Sequence, residues 1–132
     1  MLWRTLWDQL GGFDESLPAC EDYDLWLRLT LRTPVVLLPA RLIVKHGGHA
    51  DQLSRCVPVL DEYRIRALEK ILAASLTLPQ RRSVLEHLVH KCRIVAQGAR
   101  KRQHEARWTT YSAKEQHYRQ QLADVLATAE TL

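Results

Sequence analysis

The chain has little from which to build a membrane span, a disulfide framework or a metal cluster. No apolar run approaches the ~20 residues that cross a bilayer, and the most strongly apolar one, Val35-Val36-Leu37-Leu38, is strand-sized. Three isolated cysteines, Cys20, Cys56 and Cys92, point to reduced thiols rather than to a disulfide scaffold. No Cys-x-x-Cys pair is present, which argues against a zinc site. Neither Gly-x-Gly-x-x-Gly nor a Gly-Lys-Ser/Thr loop occurs, so the two common phosphate cradles are missing. Met1-Leu2-Trp3-Arg4 has neither the charged nor the apolar region of a signal peptide. These absences predict a cytoplasmic chain, with peripheral contact at a membrane left open. His87 and His90 stand three residues apart on an expected helix, but no third ligand is near in sequence, so packing or solvent exposure is the expected role.

What remains is the composition of an ordinary globular domain: 132 residues, 46% apolar and 26% charged. The net charge of +4 is unevenly spread. Residues 1–57 carry 6 basic and 7 acidic side chains, or −1, while residues 58–132 carry 13 and 8, or +5. The excess peaks at Arg100-Lys101-Arg102, with Arg93 and Arg107 nearby. Such a cluster suits an anionic lipid, a phosphorylated ligand or a nucleic acid, the last being the least favoured here. The competing reading is a solvated helix face, since local charge runs are weak motifs.

The pattern divides the chain in two. In residues 1–57, Leu2, Leu6 and Leu10 repeat every four residues, one face of a helix that Gly11-Gly12 ends. A second helix is expected from Glu21, with Leu25 and Leu29 on one face, broken at Thr33-Pro34. Val35–Leu38 and Leu42–Val44, separated by Pro39-Ala40, read as two short strands. Residues 58–132 read as all helix. Leu60, Tyr63, Ala67 and Ile71 form one face, and Leu85, Leu88, Cys92, Val95 and Ala99 a second. Tyr111, Tyr118, Leu122 and Val125 form a third. Pro79 suits a helix start after a break near Thr77-Leu78, a second break is expected around Gly98 to Thr110, and the charge-dense residues 100–110 are expected to fray.

The densest chemistry is acidic. Glu21, Asp22 and Asp24 crowd into four positions, just after Asp14 and Glu15. Close like charges perturb one another's ionisation, as active sites often exploit. Acids also gather at helix starts, where they face the positive end of the macrodipole. Gly-Gly-Phe-Asp-Glu-Ser-Leu at 11–17, Glu-Asp-Tyr-Asp-Leu-Trp-Leu-Arg-Leu at 21–29 and His49-Ala50-Asp51-Gln52-Leu53-Ser54 together resemble, in order and spacing, the C-terminal part of family 2 glycosyltransferases with the GT-A fold. The resemblance covers about residues 1–57 and lacks the nucleotide-binding half. It implies an α/β fold: the C-terminal fragment of a GT-A-type domain at 1–57, followed by a mostly helical extension at 58–132.

The implied function is an inverting sugar transfer from a nucleotide sugar to a glycan or lipid-linked acceptor. Asp22 would be the general base in a complete parent, and this chain alone would be inactive. Glu21, Asp24 and Trp26 would contact acceptor or substrate. Trp26 reads equally as core packing, and Arg28 as an ordinary i,i+4 partner of Asp24. His49 would touch the donor diphosphate or a divalent Mg or Mn ion in that parent; without the resemblance it reads as an exposed polar turn. A reading of a different class also stands: a non-catalytic helical binding module whose basic tail meets a partner, a membrane surface or a nucleic acid.

Overall fold

The computed structural model describes residues 2–44, 46 and 59–130, and every regular element among them is a helix. In chain order these are α1 (Arg4–Leu10), α2 (Glu21–Thr30), α3 (Leu60–Leu72), α4 (Leu78–Lys101) and α5 (Glu105–Glu130). They belong to two compact units, Met1–Leu60 and Asp61–Leu132.

In the first unit α1 stops where the sequence says it must. Gly11 takes the left-handed conformation at φ 77° and its N–H bonds back to the carbonyls of Asp8 and Trp7. Gly12 follows at φ 70°, and a Cβ there would sit 3.3 Å from the Trp7 ring. Trp7 meets Phe13 edge to face at 5.0 Å. Asp14 then closes a local turn by accepting from the Ser16 backbone N–H at 3.0 Å and from its hydroxyl at 2.6 Å. Leu10, Leu25 and Leu29 form a small core between α1 and α2, with Leu2, Leu6 and Trp7 packed against it. The four-residue spacing in the sequence anticipated that face.

The expected strands are absent among the described residues. Val35–Leu38 and Leu42–Val44 form no ladder, and no backbone hydrogen bond joins residues 34–44 to another described residue. The α/β fold class, with its GT-A-type sheet, is therefore overturned: every regular element among the described residues is a helix. Branched apolar residues favour a pleated surface, but the preference yields a strand only where neighbours pack against it. No described segment of this chain supplies such a neighbour, and Pro34 and Pro39 each remove a donor.

In the second unit α4 and α5 form a long antiparallel hairpin, and α3 lies along it. A capping box starts α4: the Thr77 side chain accepts from the Gln80 N–H while the Gln80 side chain accepts from the Thr77 N–H. Leu85, Leu88, Cys92, Val95 and Ala99, at alternating steps of three and four, are all buried. Opposite them Trp108, Tyr111, Tyr118, Leu122 and Val125 follow the same rhythm on α5, Tyr118 buried and the rest half-buried. From α3 come Ile65, Ala67, Leu68 and Ile71.

Charged groups at the margin tie the helices together. Asp61 on α3 accepts from Arg64 and from Lys91 of α4, both at 2.9 Å. Glu69 accepts from Lys114 at 2.6 Å and from the Tyr118 hydroxyl at 2.7 Å. Glu115 bridges Arg93 at 3.0 Å and Arg119 at 2.8 Å. Burial works against ionising Asp61, but the hydrogen bonds and charges of Arg64 and Lys91 outweigh it and hold the carboxyl below its usual range. Glu115 is held low in the same way, burial being outweighed by Arg93 and Arg119.

The sign of the pH dependence follows. A carboxylate whose folded value is depressed contributes stability that is full above its unfolded value, near ~4, and is lost as pH falls through the folded value. The urea midpoint of the chain is thus expected to drop on acidification below about pH 4.5, and Asp61→Asn with Glu115→Gln should flatten that drop. A midpoint that rises on acidification would contradict the pairing.

Candidate functional site

Two places hold the residues singled out by sequence: the start of α2 in the first unit, and the α4–α5 corner in the second. At the start of α2, Cys20 takes a left-handed conformation at φ 63° and sets the helix direction. Glu21, Asp22 and Asp24 all fall in the first turn, but they do not point the same way. Asp22 is exposed, and its carboxylate accepts from the Tyr23 backbone N–H at 2.7 Å. Glu21 is half-buried. Asp24 is completely buried. Its Oδ2 accepts from Arg28 at 2.8 Å, and the same guanidinium donates to the carbonyls of Leu10 and Gly12. Arg28 therefore clamps the end of α1 and the Gly-Gly turn onto α2, a far larger role than the surface i,i+4 pair that the spacing implied.

Trp26 belongs elsewhere. Its ring is 47% exposed and forms part of an apolar cleft of about 630 Å³ with Leu2, Leu6, Leu29, Pro34 and Val36. No acid lines that cleft, so Asp22 does not share it with Trp26. His49 lies outside the described residues; His46 is exposed. Among the described residues, no three or more His, Cys, Asp or Glu side chains stand together as a metal site. No described helix is long and apolar enough to cross a membrane.

In the second unit the basic run sits at the tip of the hairpin. Residues 100–110 are not a broad break: α4 runs to Lys101 and α5 begins at Glu105. The corner between them is a tight helix stop. Gln103 adopts a left-handed conformation at φ 58°, its N–H bonds to the Arg100 carbonyl at 3.1 Å, and the His104 N–H bonds to the Ala99 carbonyl at 2.9 Å. That is the double bond pattern of the Schellman motif, with glutamine where glycine is usual. Sequence reasoning missed this turn because its usual marker, glycine, is missing. A left-handed glutamine costs about 1 kcal/mol relative to glycine, so Gln103→Gly is expected to stabilise the chain by about that amount in urea unfolding. A loss of stability would mean that the turn is held some other way.

The corner fixes three cations on one end of the molecule's second unit. Arg100 lies over the half-buried Trp108 ring, its guanidinium carbon 5.8 Å from the centroid. Arg102 folds back over Gly98, where a Cβ would come within 2.7 Å of its Nη2. Lys101 is exposed. Elsewhere in the unit Arg64, Arg82, Lys91, Arg93, Arg107, Lys114 and Arg119 are each paired with a carboxylate, while Arg66, over the Tyr63 ring, and Arg81 have no ion pair among the described residues. Arg100, Lys101 and Arg102 have no such partner among the described residues.

The buried groups nearby are structural. Burial, reinforced by the charges of Glu69 and Glu115 against that of Lys114, pushes the Cys92 thiol up to about 12, so it packs as a neutral side chain. Burial and the hydrogen bond to Glu69 hold the Tyr118 phenol above its usual range.

Compared with family models, curated proteins and solved structures, the chain gives no match. The resemblance to family 2 glycosyltransferases is corrected accordingly. It rested on short strings at a turn and a helix start, which the fold uses for an Asx turn, a helix N-terminus and a buried clamp. A GT-A domain requires a sheet that no described residue joins. The descriptions that hung on it, an inverting nucleotide-sugar glycosyltransferase of family 2, are withdrawn with it.

Proposed function

We propose that the chain is a helical binding module that docks peripherally on an anionic membrane surface through the α4–α5 corner. The observation that carries this reading is clustering: Arg100, Lys101 and Arg102 are three consecutive cations without a carboxylate partner among the described residues, whereas Arg66 and Arg81, which also lack one, stand singly. A tip of this kind suits a flat charged surface. Duplex nucleic acid is engaged by cations spread along a face, each neutralising a phosphate, and along this hairpin every cation outside the corner except Arg81 is already paired with a carboxylate. Trp108 at the same corner adds an amphipathic ring of the sort that favours a membrane interface.

The expected strength is modest. Each cation near an anionic leaflet contributes about 1 kcal/mol, so three give roughly 3 kcal/mol, or about a 100-fold preference over neutral lipid. The test is partitioning of the full chain onto vesicles of phosphatidylcholine with and without phosphatidylserine at low salt. Binding should need the anionic lipid, weaken as salt shortens the screening length, and fall about 100-fold in the Arg100→Gln, Lys101→Gln, Arg102→Gln variant. Equal binding to neutral vesicles, an unaffected variant, or preferential capture by duplex DNA would each overturn the reading.

A further inference from the structure

The largest feature that the basic corner leaves unexplained is the apolar segment after α2. Val36, Leu37, Ile43 and Val44 are each more than 80% exposed, and Val35, Leu38 and Leu42 are exposed by more than half. Seven large apolar residues exposed within ten positions form a patch of the kind that marks an interaction site, unlike the single scattered exposures of an ordinary monomer surface. Their backbone is as open as their side chains, since residues 34–44 have no backbone hydrogen-bond partner among the described residues. Strand-forming residues with an unused ladder are a template for another strand. We infer that residues 35–44 form the interface of a dimer, in which a second copy of this chain supplies the missing strand partners.

Three observations favour a second copy as the occupant. Seven apolar residues, each exposed by more than half, are of a number that can form the buried centre of an interface to which each partner brings roughly 800 Å². Each chain brings two short apolar runs, 35–38 and 42–44, so two chains bring four, enough for an independently stable sheet where one hairpin is not. The runs are apolar at successive positions rather than at alternate ones, the pattern of strands covered on both faces. The apolar cleft beside Leu6, Trp26 and Leu29, whose wall includes Val35, Val36 and Leu38, provides cover in each copy. Pro34 and Pro39 bracket the first run, which limits the sheet to short strands and disfavours open-ended growth.

The test is sedimentation of the full chain from 1 to 100 µM, with amide hydrogen exchange read across residues 35–44. The expected result is a dimer whose formation protects the amides of Val36, Leu37, Ile43 and Val44. Leu37→Lys with Ile43→Lys, both at exposed positions outside the cleft beside Trp26, should weaken dimerisation by 100-fold or more. Monomer at 100 µM with unprotected amides overturns the inference. So does a dimer that survives the double substitution, or a series of ever larger species. Monomers that bind neutral lipid vesicles through this segment also overturn it, because lipid is then the occupant. The α4–α5 corner plays no part, so the anionic-vesicle reading stands or falls separately.

Discussion

Replacing Leu88 with alanine is expected to remove 2–5 kcal/mol from the stability of the second unit. Leu88 is fully buried on α4, in the seam that also holds Leu85, Cys92, Val95 and Ala99. Its truncation loses the transfer energy of three carbons and leaves a cavity that flanking helices fill only in part. A unit of this size has only about 4–11 kcal/mol to lose. The melting temperature should fall by tens of degrees at the upper end, at about 4–8 °C per kcal/mol. Helical ellipticity followed through urea unfolding measures the loss. A cost below about 1 kcal/mol would mean that the α3–α4–α5 core is not packed as described.

Arg28→Ala should be comparably severe for the first unit. Truncation takes the guanidinium from a carboxylate with no exposed surface and unties the carbonyls of Leu10 and Gly12 from α2. Removing one partner of a buried pair costs about 3–5 kcal/mol, and a core of Leu10, Leu25 and Leu29 has little with which to offset it. Arg28→Lys should recover only part, because an ammonium keeps the charge but cannot reach the carboxylate and two carbonyls at once. Limited proteolysis reads the loss: cleavage within residues 2–44 should speed up in Arg28→Ala while the hairpin stays protected. Unchanged proteolysis would return Asp24 and Arg28 to the minor role that the i,i+4 spacing suggested.

The helices were legible because their signals are local. Leu2, Leu6 and Leu10 before Gly11-Gly12, and the run from Leu85 to Ala99, follow periods that one face of a helix enforces. Val35–Leu38 and Leu42–Val44 were misread because strand formation needs a partner, and a sequence cannot say whether one is supplied. The acid cluster misled for a related reason. Glu21, Asp22 and Asp24 look alike in sequence, yet one helical turn leaves Asp22 in water and sends Asp24 into the core against Arg28. Likewise the Arg100–Arg102 run was visible, but the freedom of its charges depends on which carboxylates the hairpin register brings opposite the other cations.

The most direct test of the docking account is where the chain is covered when it sits on lipid. Hydrogen exchange of the full chain, with and without vesicles containing phosphatidylserine, should show new protection centred on residues 100–108. That footprint should vanish in the Arg100→Gln, Lys101→Gln, Arg102→Gln variant. Protection confined to other residues, or a footprint that survives the triple substitution, would contradict it.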